Sequence, residues 1–335
     1  MSDFDIVIVG GGLIGLALLD KLEKSGKKVI LLDDSEKQRQ PKARPLVLTS
    51  SSANFLGYKE GIPLDRVKVT AYSQPGLLNF SAFDYGVSEF AHVVDAVKLQ
   101  SNLLARNEQL IKKGITVVDV QQTSTGAILV LSNGEKISTK LLFAADGADS
   151  TISKCVGANK ILGSSIDVKV IPNVQLMESV PAQLRFLSGG TIAFLPTSNA
   201  RGTIVATGQA IDADMFELWR RHLPILDLPN FEIRYSQSCF YLERLKYGSV
   251  VFLGNAAHSL PPVGAQGFNL GCQGLRYLAT LNFNGYEKDF YEKVYKTFRA
   301  CDFLASGRVQ SITFFGMHFI NMLGFLKRDL VSFVL

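Results

Sequence analysis

The chain has 335 residues, of which 47% are hydrophobic and 19% charged, and its formal net charge is +5 at pH 7. This composition excludes an intrinsically disordered chain and provides for one large domain or two. The positive residues are dispersed and no nucleic-acid-binding motif occurs, so we expect no nucleic-acid partner. The four cysteines have no C-x-x-C spacing and the four histidines are scattered, which predicts reduced thiols, no metal site and a cytoplasmic protein.

The N-terminus has the pattern of a dinucleotide-binding βαβ unit. An apolar run at 5–9 predicts a buried parallel strand, and Gly10, Gly12 and Gly15 follow it with G-x-G-x-x-G spacing. In this arrangement the first glycine permits a tight turn, the second lets backbone approach a pyrophosphate, and the third lets helix and strand pack closely.

The helix and second strand of the unit complete the pattern. The helix is predicted to begin at Leu13. The free N–H groups at Leu13 and Ile14 and the positive end of the helix dipole favour the binding of phosphates. The second strand is predicted over 28–32, and Asp33 follows it where an acidic residue should hold a ribose hydroxyl, with Asp34 as a neighbouring candidate.

The middle of the chain alternates between the nucleotide-binding pattern and strand-rich segments. Residues 66–92 look strand-rich, 96–113 predicts a helix, and 115–145 predicts three strands. Residues 165–245 are again rich in strands, with a short helix predicted over 212–221. The nucleotide domain is therefore interrupted twice by a mostly β domain.

The most specific pattern is the long motif Gly254–Asn269, with the sequence GNAAHSLPPVGAQGFN. A short buried strand is predicted before it and a helix over 267–281 after it. Pro261 and Pro262 stiffen the loop, and the glycines leave main-chain N–H groups free to face a ligand.

Three landmarks together resemble the flavin-dependent aromatic hydroxylases built like p-hydroxybenzoate hydroxylase, in particular their ubiquinone-biosynthesis branch. They are the N-terminal glycine turn, the segment ADGADS at 145–150 and the long motif, and the resemblance spans nearly the whole chain. It implies an α/β fold, with a Rossmann-like FAD-binding domain of the glutathione-reductase type, an inserted mostly-β substrate domain and C-terminal helices. The implied boundaries are 1–65, 94–160 and 246–300 for the FAD-binding domain, 66–93 and 161–245 for the substrate domain, and 301–335 for the C-terminal helical segment.

The resemblance implies that FAD is held at both ends. The glycine turn would hold the diphosphate, Asn255 would approach the ribityl chain, and the helix after the long motif would aim its positive end at the flavin. The implied cofactor-binding residues are Gly10, Gly12, Leu13, Ile14, Gly15, Asp33, Asp34, Arg44, Gln100, Asp146, Gly147, Asn255, Ala257, Gly264, Gln266, Gly267, Phe268 and Asn269.

No catalytic side chain is assigned, because in this family the flavin carries the chemistry. His258 is either a base or, as we prefer, a structural residue near the ribityl chain. The flavin-facing loop residues are Pro261, Pro262, Gly264 and Gln266, and the substrate candidates, each equally explained as core, are Phe186, Phe194, Pro196 and Phe268.

The implied reaction is a hydroxylation. NADH or NADPH would reduce FAD, and a flavin C4a-hydroperoxide formed with O2 would hydroxylate a lipid-soluble aromatic substrate, a polyprenylated phenol or quinol of ubiquinone biosynthesis. Other ubiquinone-biosynthesis proteins are then candidate partners. Two alternatives stay open: a prenyl reductase of the same fold, and a non-catalytic flavin-binding subunit of a biosynthetic complex. Ala144, Lys154 and Gly274 motivate the latter, because the family usually has Gly, Arg and Asp there.

The C-terminus is the most apolar part of the chain. Residues 288–335 predict helix, but no segment is long and apolar enough for a transmembrane span. We expect the stretch 312–326 to pack on the body of the protein. The alternative is a subunit contact or a peripheral contact at the inner membrane face through 312–335.

Overall fold

A computed structural model of the chain describes residues 3–35, 45–71, 77–187, 189–208 and 223–305. Arg44, the helix predicted over 212–221 and the apolar stretch 312–335 lie outside these residues. No helix in the described ranges is long and apolar enough to cross a membrane.

The described elements include runs of consecutive strands as well as helices. The strands are β1 Phe4–Val9, β2 Val29–Asp33, β3 Pro45–Thr49, β4 Ile62–Leu64, β5 Arg66–Ala71, β6 Leu77–Ser81, β7 Ala91–Asp95, β8 Ile111–Lys113, β9 Val117–Thr123, β10 Gly126–Leu131, β11 Lys136–Ala144, β12 Lys160–Leu176, β13 Ala182–Leu187, β14 Gly190–Ser198, β15 Arg201–Gly208, β16 Ile225–Asp227, β17 Ile233–Leu242, β18 Lys246–Tyr247, β19 Val250–Phe252 and β20 His258–Ser259. The α-helices are α1 Leu13–Leu22, α2 Ser50–Leu56, α3 Ala96–Arg106, α4 Thr151–Cys155, α5 Gln266–Ala279, α6 Phe283–Gly285 and α7 Tyr291–Ala305, and a π-helix, Tyr286–Phe290, joins the last two.

The first sheet has eight strands and a parallel centre. Its path is β18-β19-β11-β1-β2-β8, with β10 pairing β11 and β9 pairing β10. Strands β19, β11, β1, β2 and β8 run parallel to one another. Apolar side chains such as Ile6, Val7 and Ile8 are buried on both faces, as central strands of a parallel sheet require. The predicted α/β class with a Rossmann-like sheet is confirmed.

The second sheet has nine strands and is mostly antiparallel. Its path is β20-β17-β12-β15-β14-β13-β5-β6, with β16 pairing β12. Because side chains alternate across a strand, β12 contributes to two cores. Val168 and Val170 join the main core shared with the first sheet, whereas Ile171 joins a separate core with Ile192 and Phe194.

The long motif begins where the two sheets meet. Strand β19, just before it, belongs to the first sheet, but β20 is the edge strand of the second sheet. Tyr241 pairs with His258 and Phe240 with Ser259 in this short ladder. One continuous segment therefore connects both sheets.

The helix predicted over 96–113 was wrong in its last third. Helix α3 ends at Arg106, a 3₁₀ turn follows, and Ile111–Lys113 forms β8. Ile111 pairs with Leu31 of β2, so the segment Ile-Lys-Lys joins the edge of the sheet, although its one apolar residue also fits a helical face. The three-stranded sheet β3-β7-β4 was also missed.

Gly274 allows the π-helix to pack on α5. A Cβ there would lie 2.7 Å from Cζ of Phe290 and 3.1 Å from Cε2 of Tyr286. Both rings are buried, and the Tyr286 hydroxyl donates a 2.6 Å hydrogen bond to the Phe252 carbonyl. This departure from the family pattern therefore has a packing reason in this chain.

We expect Gly274→Ala to lower the free energy of unfolding by up to about 2 kcal/mol. Overpacking a core costs about 1–3 kcal/mol, which is partly offset by the roughly 1 kcal/mol that alanine gains over glycine in a helix. Urea unfolding of the cofactor-free protein measures the change. Gly267→Ala is the control in the same helix, because nothing lies within 4 Å of its added Cβ. Equal stability of the two variants would contradict the packing argument.

Candidate functional site

The N-terminal glycine turn and the ADGADS segment contact each other through their backbones. Gly10 has φ +111°, and a Cβ there would lie 2.3 Å from the Ala145 carbonyl oxygen. A Cβ on Gly15 would lie 2.0 Å from the Gly10 carbonyl oxygen. The Ala145 N–H also donates to the Val9 carbonyl at 2.8 Å. The glycine turn and the ADGADS segment therefore form one packed edge.

The long motif joins the same edge through Ile14. A Cβ on Gly254 would lie 3.1 Å from Ile14 side-chain carbons, and one on Gly271 would lie 2.6 Å from its Cδ1. The Leu253 N–H donates to the Ala144 carbonyl at 3.0 Å. All three motifs thus meet at the carboxyl ends of β1, β11 and β19, where open α/β sheets bind ligands.

A second set of glycines faces open space. Nothing lies within 4 Å of a Cβ built on Gly12, Gly147 or Gly267, and Gly264 meets only the Gln266 Cγ at 4.0 Å. These glycines lie in the same three motifs as the packed ones. A ligand can therefore approach the backbone there without displacing a side chain.

Two helices begin at this place without side-chain caps. Gly12 is the N-cap of α1 and Ala265 that of α5, and neither helix has a side-chain hydrogen bond at its N-cap. Ala265 has a left-handed backbone, with φ +56°. First-turn N–H groups have no partner inside a helix and carry the positive end of its dipole. Both ends can therefore bind negative charge.

Asp33 and Gln100 hold the glycine turn from its two sides. The Gly11 N–H donates to Asp33 Oδ1 at 3.0 Å, and Ser35 donates its hydroxyl to the other carboxylate oxygen. The Gln100 Nε2 donates to the Gly11 carbonyl at 3.0 Å. The predicted neighbour Asp34 is exposed.

Asp146 presents an acceptor to the site. Its Oδ2 accepts from the Ile152 N–H at 3.3 Å, whereas Oδ1 is buried without a hydrogen-bond partner among the described residues. Burial raises the pKa of this carboxyl above its usual value. A ligand hydroxyl would satisfy the unpaired oxygen. Nearby, Lys160 Nζ donates to the Ala148 carbonyl at 2.7 Å, while Lys154 is exposed.

Asn269 supports the loop through hydrogen bonds made by both the oxygen and the nitrogen of its side-chain amide. The side chain is 1% exposed, and its Oδ1 accepts from the Thr49 N–H at 3.0 Å. Its Nδ2 donates to the Val47 carbonyl at 2.8 Å and to the Ala265 carbonyl at 2.9 Å. The amide therefore fixes the start of α5. Asn255 is exposed at the site, and Ala257 is fully buried.

His258 is enclosed in apolar surroundings. It is 1% exposed, and neither ring nitrogen has a hydrogen-bond partner in the described part of the chain. The Phe290 ring centroid lies 6.2 Å from that of the imidazole. Burial lowers the pKa of His258 to about 4, so the ring is neutral at neutral pH.

The predicted loop residues differ in exposure, and the four substrate candidates are not brought together. Pro261 and Gln266 are buried, Pro262 is half-buried and Gly264 is exposed. Phe186 is half-buried near Leu78, and Phe268 packs against the main core. Phe194 is fully buried in the second core, and Pro196, two residues along β14, is on the same face. These last two side chains therefore point away from the first sheet.

A separate cavity of about 300 Å³ opens between α5 and α7. Leu270, Gln273 and Thr297 are among its lining residues, and charged side chains such as Lys293 stand at its rim. Gln266 also lines it and donates its Nε2 to the Gly264 carbonyl at 3.3 Å. The cavity therefore adjoins the end of the loop through Gln266.

Sequence reasoning missed two polar supports of the site. Gln237 Nε2 donates to the Leu260 carbonyl at 2.6 Å. Arg276 on α5 donates to the Ser51 carbonyl of α2 at 2.8 Å. Each is a single polar residue without a motif around it, and its partner is distant in the chain, so spacing carries no signal for either.

Comparison with known proteins agrees with this geometry. The model of the FAD binding domain family matches residues 111–281, just over half of the chain. Rifampicin monooxygenase of Streptomyces venezuelae is 24% identical over 306 aligned residues, covering 81% of this chain and 62% of that protein. The chain thus spans less than two thirds of that relative's length. Ubiquinone hydroxylase UbiL of Rhodospirillum rubrum is 24% identical over 308 aligned residues, covering 82% of this chain and 71% of that protein.

Solved structures share the fold. A variant of HpxO from Klebsiella pneumoniae, complexed with FAD, superposes with a TM-score of 0.78 at 17% identity, covering 99% of this chain and 98% of that chain. At this identity the likeness shows the fold alone.

His258 predicts a pH dependence of stability. Between its folded pKa of about 4 and its ordinary value of 6.5, the unfolded chain binds a proton that the folded chain does not. The free energy of unfolding should therefore fall as the pH drops through this window, by at most about 1.4 kcal/mol per pH unit from this residue. His258→Leu should flatten the dependence by up to that amount. Urea unfolding of both proteins at about pH 7 and about pH 5 tests this, and parallel curves would contradict it.

Proposed function

Since the chain belongs to the FAD binding domain family, we propose that it binds FAD where its three motifs meet and acts as an FAD-dependent monooxygenase of aromatic substrates. One observation carries the proposal. Two uncapped helix N-termini and four open glycines lie at the carboxyl edge of a parallel sheet, which suits a long ligand with an anionic centre and a ring that gains negative charge.

Each end of the site would hold a different part of FAD. The N–H groups at Leu13 and Ile14 of α1 would bind the diphosphate, with Gly12 leaving room for it. Asp33 would orient the glycine turn and lie beside the ribose. The unpaired Oδ1 of Asp146 would accept a hydrogen bond from a cofactor hydroxyl. The loop with Gly264 and the start of α5 would face the flavin ring.

Bound FAD supplies electron transfer and reaction with dioxygen, which side chains cannot supply. The chain contributes position and electrostatics. The α5 N-terminus offers fixed N–H groups to developing negative charge, and Asn269 keeps that end in place. The neutral, buried His258 adds no charge, and Pro261 and its buried neighbours help to exclude water from the loop.

The substrate proposal is an electron-rich aromatic ring bound under the flavin, against the second sheet. Two relatives, each 24% identical to this chain, are named rifampicin monooxygenase and ubiquinone hydroxylase UbiL. We propose a polyprenylated phenol or quinol of ubiquinone biosynthesis, with NADH or NADPH as the electron donor. Contact with other proteins of that biosynthesis, and with the inner membrane face through 312–335 from the cytoplasm, belongs to the same proposal.

The alternative is a non-catalytic flavin-binding subunit, and the exposed Lys154 is the observation that favours it. The structure weakens the argument from Gly274, because that glycine has a packing role here. A prenyl reductase of the same fold would bind FAD and oxidise NAD(P)H without consuming oxygen.

Rapid mixing separates these functions. We expect purified protein to take up FAD and show the flavin absorption bands, and NADH or NADPH to bleach them. Addition of oxygen and a phenol should then give equal consumption of NAD(P)H and O2, with a hydroxylated product. Bleaching without oxygen consumption would indicate the reductase, and flavin that is bound but not bleached would indicate the subunit. Protein that takes up no FAD would refute the proposal.

Gly12→Val should remove FAD without unfolding the protein. Gly12 has φ −72°, and nothing lies within 4 Å of a Cβ built on it, so the cofactor-free fold accommodates the backbone and Cβ of valine, whereas its methyl groups would extend toward the proposed diphosphate position. We expect at least a hundredfold weaker FAD binding, roughly 3 kcal/mol, by fluorescence titration. Gly15→Ala is the contrasting variant and should unfold the domain, because its Cβ would lie 2.0 Å from a carbonyl oxygen. Unchanged flavin content in Gly12→Val would contradict the placement.

A further inference from the structure

The flavin-facing loop starts as an edge strand of the second sheet, and its ladder is short. Strand β20 pairs with β17 only through His258 and Ser259. Leu260 follows, and then Pro261, which has no backbone N–H to donate. The regular backbone pairing therefore stops just where the loop turns toward the proposed flavin position.

The side chain of Gln237 continues the connection beyond the end of the ladder. It comes from β17, is half-buried, and donates its Nε2 to the Leu260 carbonyl at 2.6 Å. The same nitrogen lies 3.3 Å from the Ser259 Oγ. One amide thus holds two successive residues of the motif to the strand beside them.

The far end of the loop is held from the other side. Asn269 donates to the carbonyls of Ala265 and Val47, and β3, which contains Val47, belongs to neither large sheet. The segment 260–265 is therefore fixed at its start by the second sheet and at its end by the small sheet. Between these points lies Gly264, whose open side would face the ring.

We propose that Gln237 is a positioning residue, which fixes the flavin-facing loop to the substrate-side sheet so that the two form one rigid unit. The inference rests on the proposed function for the meaning of the loop, but the clamp itself exists in the cofactor-free protein. If Gln237 is lost, the Leu260 carbonyl loses its donor, the loop opens more often, and the α5 N–H groups are presented less firmly to the flavin.

The test uses two replacements and one matched control. Gln237→Leu keeps approximately the size of the side chain but removes the donor, and Gln237→Glu puts an acceptor against the Leu260 carbonyl. Ser236→Ala is the control, because Ser236 is exposed, precedes Gln237 in the strand, and bonds to Asp167 instead of the loop.

Hydrogen exchange of the cofactor-free proteins measures the clamp directly. In Gln237→Leu we expect exchange in a peptide covering 254–268 to rise about tenfold, with exchange in a peptide covering 4–16 unchanged. In the same variant we expect FAD to bind about tenfold more weakly and its reduction potential to become more negative, because reduced flavin gains most from the fixed N–H groups. Gln237→Glu should show equal or larger effects, and Ser236→Ala none.

Three outcomes would overturn the inference. The first is unchanged loop exchange in both Gln237 variants. The second is a uniform rise of exchange across both sheets with a lower melting temperature, which would indicate a purely structural side chain. The third is unchanged FAD affinity and potential despite faster loop exchange. If the wild-type protein binds no FAD, the proposed function fails, whereas the exchange measurement still decides whether the clamp exists.

Discussion

At the carboxyl edge of the parallel sheet, backbone segments approach one another so closely that no side chain fits between them. Gly10 lies against Ala145, and Gly15 lies against Gly10. At both glycines a Cβ atom would collide with a backbone carbonyl oxygen. This contact fixes the start of α1 relative to β11, and thus the relation of the first two motifs. The directions of the free helix ends, and with them the electrostatics of the site, follow from it.

Glycines that look alike in the sequence have two different roles. Gly10 and Gly15 are required for packing, whereas Gly12 stands between them with open space beside it. Gly271 and Gly267 show the same contrast in α5. Packed glycines hold the motifs together, and open ones leave room for a ligand. Spacing alone predicts both groups but cannot separate them, because the difference depends on neighbours far away in the chain.

Local periodicity predicted the parts of the fold that depend on local order. The strand β1, the helix α1, the strand-rich middle of the chain and the helix of the long motif all follow from apolar patterns and glycine positions. What could not be predicted depends on distant partners. The short strand β8 exists because β2 offers it an edge, and the Thr49–Asn269 bond joins residues 220 positions apart. A lone amide such as Gln237 leaves no pattern at all.

Ile14 fills the space that two glycines of the long motif leave open. Gly254 and Gly271 both lie against its side chain, and no other residue lies closer to the position of either missing Cβ. The three positions therefore share one volume. Gly254 has φ +57°, which favours glycine whatever residue stands at 14. During evolution, a larger residue at 271 is admissible only alongside a smaller one at 14, so positions 14 and 271 should change together across descendants of this chain, although more than two hundred residues separate them.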